Sequence, residues 1–300
     1  MKNILVISFS QTGQTEEIAQ NISLPLSADP DCRVVYYTIE LKEPFPFPWN
    51  KHTFYQAFPE SFLQIPSEIL PPPSAVLENS YDLVIFAYQV WYLTPSIPIV
   101  SFLKSEYASQ LLNGTKVVTV VACRNMWATS HDKINALLKQ NGAERVGNIA
   151  LVDRTNNYIS VYTIVEWLYS GKKEKKGIFP APGVDDQEIK ESVKFGRIIA
   201  NHLNRNNFDG LQEDLLAEGA VNIKPFLVTV DKTANRIFRI WSGKIISTTG
   251  EKRKKLLVIF KYYLLFAIYI VSPIVLLFWT LLYPLRWRKV KKEIKYYKGI

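Results

Sequence analysis

The sequence is poor in the residues that build metal centres and disulfide frameworks. Among 300 residues there are two cysteines, Cys32 and Cys123, three histidines, His52, His131 and His202, and two methionines. Two cysteines make no disulfide framework, and no spacing of His, Cys and carboxylates matches a zinc or iron site, so no metal is expected. A secretory leader is missing too: the apolar run at residues 4–9 is too short and leads straight into a turn. The soluble part is therefore placed in reducing cytoplasm. The body of the chain also lacks a basic stripe. Residues 251–300 hold 12 Lys and Arg against 2 Asp and Glu, or +10, which leaves 24 against 25, or −1, for residues 1–250 of a chain whose net charge is +9. The basic character belongs to a tail, and a nucleic-acid surface on the body is excluded.

What is present begins with Ile4-Leu5-Val6-Ile7, then Ser8-Phe9-Ser10-Gln11-Thr12-Gly13-Gln14-Thr15, then a helical pattern from Glu16. A short buried strand runs through a hydroxyl- and Gly-containing turn into a helix. Such a turn aims backbone N–H groups, hydroxyls and the positive end of the helix at one spot, which suits a phosphate. The spacing Ser10-x-Thr12-Gly13-x-Thr15 has neither the Lys of a P-loop nor the three glycines of a dinucleotide fingerprint. The alternative is a Ser/Thr-rich helix cap.

Periodicity predicts a helix over residues 15–22, with Ile18, Ala19 and Ile22 inward and Pro25 as its end. Strands follow at residues 33–39, 83–87, 116–122 and 145–152. Helices are expected after Pro98 and over residues 131–140, 158–170 and 185–204, the last packing through Ile189, Val193, Ala200 and Leu203. Five strands alternating with helices imply an α/β fold, a doubly wound five-stranded parallel sheet covered on both faces. Its ligand site lies beyond the strand C-termini where strand order reverses, beside the first strand and its turn. Residues 1–206 form this domain. It carries an insertion at about residues 43–75 with Pro44-Phe45-Pro46-Phe47-Pro48-Trp49, Phe54, Tyr55, Phe58, Phe62 and Pro71-Pro72-Pro73. So many aromatics argue for order. The insertion is either a wall over an apolar pocket or a brace across the sheet edge.

Residues 207–255 read as a linker with an amphipathic helix. Over residues 233–246, Ile237, Phe238, Trp241 and Ile245 share one face, which either meets lipid or docks on the body. Lys252-Arg253-Lys254-Lys255 follows. Residues 256–300 form a membrane anchor and basic tail: residues 262–285 give 24 positions without a charge, against the ~20 that span a bilayer. Trp279, Tyr283 and Trp287 supply an aromatic belt at one end. Both flanks are basic, so charge does not choose an orientation, and Pro273 either kinks one span or turns a re-entrant hairpin.

The opening turn resembles the phosphate loop of flavodoxin-like proteins, which implies FMN held by Ser10, Gln11, Thr12, Gly13, Gln14 and Thr15. The same resemblance places Gln89, Val90 and Trp91, after the third strand, at the ring edge. An aromatic such as Trp91 covers a ring face, at about 1–3 kcal/mol if base–aromatic stacking transfers. Cys123, Arg124 and Asn125, after the fourth strand, would face the pyrimidine side, with Arg124 stabilising negative charge on a reduced ring. Cys123 reads otherwise as a small buried residue. Tyr88, Tyr92 and His131 are the candidate catalytic bases, and His131 reads equally as a helix-start residue.

More narrowly, the whole chain resembles the dialkylresorcinol condensing enzyme (aromatase) family of flexirubin and aryl-polyene pigment pathways. The carrying residues are Ser10 to Thr15, the Pro44–Trp49 run with Ala57-Phe58-Pro59-Glu60-Ser61-Phe62, Val90-Trp91-Tyr92, Cys123-Arg124-Asn125-Met126-Trp127 and the apolar C-terminal segment. The resemblance implies an FMN-dependent oxidoreductase at the cytoplasmic face of the bacterial inner membrane. Its substrate is a lipophilic 2,5-dialkylcyclohexane-1,3-dione, made by a partner ketosynthase and oxidised to the resorcinol. Small electron-transfer flavodoxins are acidic, and a near-neutral body departs from them. Two other readings are an NAD(P)H-dependent quinone or flavin reductase at the membrane and a flavin-free scaffold. Carbon–carbon bond formation by this chain lacks a nucleophilic Cys with His partners.

Overall fold

A computed structural model describes residues 1–300. The chain opens with β1 (Lys2–Ser8), α1 (Gln14–Ser27) and β2 (Cys32–Thr38). Short helices α2 (Lys51–Gln56), α3 (Phe58–Phe62) and α4 (Ser74–Leu77) precede β3 (Leu83–Trp91), a two-residue β4 (Thr94–Pro95), α5 (Ile97–Leu103) and α6 (Glu106–Leu112). Next come β5 (Lys116–Cys123), α7 (Ala128–Gln140), β6 (Glu144–Val152) and α8 (Asn157–Ser170). The order β2-β1-β3-β5-β6, all parallel, is the flavodoxin-like doubly wound arrangement, with the reversal of winding between β1 and β3. Continuous apolar runs explain it. Leu83 to Tyr88 are all inaccessible to solvent, as a central parallel strand with helices on both faces requires.

The third strand is longer than its sequence pattern predicts. It continues to Trp91 and turns back through Tyr92 and Leu93, both at positive φ (51° and 65°), so that Trp91 pairs with Thr94. Two consecutive left-handed residues are the backbone of a tight hairpin, and neither is the Gly or Asn that would announce one. Pro25 does not end the first helix, which runs on to Ser27. The predicted helix over residues 185–204 is two: α9 (Asp186–Glu191) and α10 (Val193–Asn204), broken at Ser192, whose hydroxyl bonds the Ile189 carbonyl. Ile189, Ala200 and Leu203 are buried as predicted, Val193 is half-buried, and Phe195, Gly196 and Ile199 join the packed face. Gly196 lets α10 meet α1, since a Cβ there would stand 1.9 Å from the Ile22 carbonyl oxygen. The packed layer continues past Asn206: in α11 (Leu211–Ala217), Leu211 and Leu215 are buried, and Val221 bridges Ala150 of β6 in parallel.

The amphipathic segment starts earlier than residue 233, as α12 (Pro225–Ile246), and it docks on the body. Phe238 and Ile245 bury against Phe58 and Phe62 of α3 and against Phe260. The remaining chain is α13 (Gly250–Phe266), a π-turn over Ala267–Val271 and α14 (Ser272–Lys298), one helix of 49 residues in all. It is long and apolar enough to cross a membrane. Pro273 makes no hairpin. The π-turn just before it accommodates the ring, because proline in a helix interior clashes with the carbonyl one turn back and leaves it without a donor.

Candidate functional site

The loop between β1 and α1 sits where the topology predicts, at the C-terminal end of the sheet. Gly13 begins the helix at φ 83°, a left-handed conformation that glycine adopts freely. The Ser10 hydroxyl accepts from the Thr15 N–H at 3.1 Å, and Gln11 N–H donates to the Gln89 side chain at 3.0 Å. That second bond ties the loop to the end of β3. Gln14 is clamped to Val184 by reciprocal bonds of 3.2 and 3.0 Å, under Gly183, where a Cβ would meet Trp167 and Gln14 within 2.8 Å. Thr15 has its hydroxyl buried with no partner. A buried unpartnered hydroxyl at a helix N-terminus is costly unless a ligand satisfies it.

This loop forms one wall of a cavity of about 220 Å³. Thr12, Gln14 and Thr15 lie at one end, and Trp49, Trp91 and Trp167 supply flat apolar walls. Trp91 stands in an aromatic cluster, edge-on to Phe9, Phe45 and Trp49 at centroid distances of 5.3–5.9 Å. The insertion serves as a wall, and the bracing it does is of the last helix, not of the sheet edge. Trp49 and Phe54 line the cavity, while Phe58 stacks on Phe260 at 3.9 Å and 9° and braces the last helix.

A second cavity of about 280 Å³ continues from the first, sharing Phe54, Val90, Tyr92, Cys123 and Arg124 with it. Of its 24 lining residues 20 are hydrophobic, most of them from α8, α12 and the last helix. Arg124 is the one charged side chain lining either cavity. Its guanidinium donates to the Asn157 carbonyl and to the Asn157 side chain at 3.2 and 2.7 Å, and no carboxylate pairs with it. Burial disfavours its charge and lowers its pKa. Asn125 also leans on Asn157 at 2.8 Å and keeps its own carbonyl oxygen unpartnered. A half-buried guanidinium with no carboxylate partner is a site for an anion.

The structure thus gathers Gln11, Thr12, Gln14, Thr15, Gln89, Val90, Trp91, Cys123 and Arg124 around one cavity. Ser10 and Gly13 shape the loop from behind, and Asn125 lines the second cavity. The candidate bases separate. Tyr92 lines both cavities, but its hydroxyl donates to the Phe54 carbonyl and burial holds its pKa well above the phenol range. Tyr88 does not reach them: strand alternation turns it into the core, fully buried. His131 is not at a helix start either. It sits one turn inside α7, 1% exposed between Trp127 and Tyr297, and burial, with Arg145 nearby, lowers its pKa to about 3. Cys123 is a free, half-buried thiol with a raised pKa, chiefly from desolvation, which argues against a nucleophile. Sequence reasoning missed Trp167, Leu168 and Ile164 of α8, whose inward face carried no signal beyond ordinary amphipathicity.

Against known proteins, no family model matches the chain and no curated sequence matches it. Among solved structures, it is similar to a flavoprotein in complex with FMN from Lactobacillus acidophilus, at 17% identity and a TM-score of 0.40, over 50% of this chain and 93% of that one. It is also similar to oxidised flavodoxin 1 from Bacillus cereus, at 14% identity and a TM-score of 0.38, over 67% and 99%. The strand order and the position of the β1–α1 loop define the fold on their own.

Proposed function

We propose that this chain is a membrane-anchored, FMN-dependent oxidoreductase that aromatises a dialkylcyclohexane-1,3-dione to a dialkylresorcinol. The observation that carries the reading is Arg124: a half-buried cation without a carboxylate, at the junction of a cavity lined by the β1–α1 loop and a cavity that is almost wholly apolar. The residues fit FMN. The unpartnered Thr15 hydroxyl, with Ser10, Thr12 and Gly13 at the start of α1, would hold its phosphate, and Trp91 and Asn125 would lie near its ring. When bound, FMN supplies the two-electron acceptor for the oxidation.

The chain's own contributions follow from the walls. A 1,3-dione is an acid in its own right, because its enolate shares charge between two oxygens. Arg124 stabilises that enolate, so no strong side-chain base is needed, consistent with the engaged Tyr92 hydroxyl. The apolar cavity takes the alkyl chains and excludes water, which strengthens the Arg124 contact. Loss of two hydrogens from the ring, one as a proton and one with the electron pair, leaves the aromatic diol after enolisation.

A second reading is an NAD(P)H-dependent quinone reductase, which the same cation favours because a reduced quinone is also an oxyanion. Turnover separates them. Purified protein, supplied with a synthetic dialkylcyclohexane-1,3-dione and either oxygen or a quinone as acceptor, is expected to release the resorcinol. An unchanged dione with NADPH-driven quinone reduction would replace the first reading by the second.

A further inference from the structure

We propose that the 49-residue C-terminal helix lies flat in one leaflet of an anionic bilayer, with both of its ends and the whole body on the same side, instead of crossing the membrane. The inference rests on the membrane-anchored part of the reading above and fixes its geometry.

The helix meets the body at both ends and at single points between them, while residues 273–278 and 280–285 are exposed. Among its less exposed residues, Leu257, Phe260, Leu264, Ile268 and Ser272 recur every three or four positions, Trp279 and Arg286 follow at steps of seven, and Val290, Glu293 and Tyr297 again at three or four. This is one helical face. At the near end Phe260 is fully buried under Phe58 and Trp241, and Arg253 grips Glu60 at 2.7 and 2.9 Å. In the middle Tyr269 donates to the Tyr158 carbonyl, and Trp279 donates to Thr229 at 3.2 Å. At the far end Lys232 pairs with Glu293 at 3.0 Å, and Tyr296 and Tyr297 both donate to Asp132 at 3.0 and 2.9 Å. From Leu257 to Tyr297 is roughly 60 Å along a helix, at 1.5 Å per residue. A bilayer core is about 30 Å thick. A helix that crossed it would carry one docked end, with Asp132 and Lys232, through the hydrocarbon. Crossing and docking exclude each other.

The outward face needs a cover. Phe266, Ile270, Ile274, Leu277, Phe278 and Leu281 are each more than half exposed and form an apolar stripe without a charge. Such a stripe is too large to face water. An ordinary in-plane helix carries a polar face toward solvent; here the body holds the helix at both ends and at Tyr269 and Trp279 between them. Exposed cations bracket the stripe, Lys252, Lys254 and Lys255 before it and Arg288, Lys289 and Lys291 after it. That pattern complements anionic headgroups and repels a second copy of the same face, which selects a lipid leaflet as the occupant. The apolar cavity beyond Arg124 is walled by Tyr263, Leu264, Ala267 and Ile268 of this helix, so its rim adjoins the leaflet and a chain-bearing substrate enters sideways.

The test uses the full chain in bacterial membranes, with single cysteines at two exposed sites outside the stripe, Ser247→Cys and Lys292→Cys, and the unsubstituted protein as background for Cys32 and Cys123. A membrane-impermeant maleimide is applied to inside-out vesicles and to intact spheroplasts. Both sites are expected to label from the same side with a ratio near one. Labelling from opposite sides overturns the inference and leaves the flavin chemistry standing. In flotation with purified protein, vesicles containing phosphatidylglycerol are expected to retain it at least tenfold better than pure phosphatidylcholine. Equal retention, or self-association with no vesicle binding, overturns the choice of an anionic leaflet.

Discussion

At the scale of single residues, the two groups that matter most are a buried hydroxyl without a partner and a cation without a carboxylate. Thr15 buries a hydroxyl with no partner. Replacing it with the isosteric Val removes a desolvated polar group, so Thr15→Val is expected to keep or slightly raise the melting temperature while weakening FMN binding about tenfold. Fluorescence titration of the apoprotein with FMN, beside a melting curve, checks both. Arg124 is the second. Arg124→Gln keeps a donor toward Asn157 but removes the charge, and is expected to lower kcat/KM for the dione by roughly 10–100-fold, the worth of one charge-assisted bond, with flavin content retained. Equal activity in the Gln variant would remove the anion-binding role.

Two buried titratable groups outside the cavities set opposing acid responses. His131, lowered to about 3 by burial, stays neutral while the unfolded chain takes up a proton near 6.5. Its contribution is therefore present above pH 6.5 and lost as pH falls toward 3, at about 1.4 kcal/mol per unit. Asp231, which receives the Thr129 N–H and hydroxyl at the head of α7, is raised to about 6 by burial from 3.8. Its contribution is present below 3.8 and lost as pH rises through 6. Between pH 6 and 3.8 the two offset each other. His131→Gln is expected to make the melting temperature rise on acidification through that window, and Asp231→Asn to make it fall more steeply. A melting temperature indifferent to both changes would contradict the assignment.

At the scale of elements, the insertion and the last helix depend on each other through one aromatic pair. Phe58→Ala leaves a cavity under Phe260 and Phe238 and is expected to cost about 3–5 kcal/mol locally. Limited proteolysis is expected to cut first near residues 246–250 while the sheet stays protected. Most elements of the sheet were legible beforehand, because Ile4 to Ile7, Leu83 to Ala87 and Lys116 to Ala122 are apolar runs bounded by turns. The turn that opens α1 was legible from Ser10, Thr12, Gly13 and Thr15. The hairpin at Tyr92 and Leu93 was not, because left-handed backbone there is imposed by tertiary packing and no turn residue marks it. Nor was the misplacement of Tyr88 and His131: each is one residue or one turn away from a cavity, and only the pleat and the helix phase decide the side. The docked path of the last helix was hidden for a related reason. Residues 262–285 are apolar all round, so hydropathy measures their length and not the face that meets the body.

At the scale of the whole molecule, three spaces line up: a phosphate loop at the sheet end, an aromatic-walled cavity next to it, and an apolar cavity roofed by the C-terminal helix. A soluble electron carrier needs only the first two. The third, with Arg124 at its threshold, is an apolar space of about 280 Å³ next to the first cavity, and the proposed activity depends on it. The most direct test is an anaerobic titration in one cuvette. Purified protein is predicted to show flavin absorbance that bleaches on adding dialkylcyclohexane-1,3-dione, with one resorcinol formed per flavin reduced. Protein without flavin bands, or flavin that the dione leaves fully oxidised, would contradict the account.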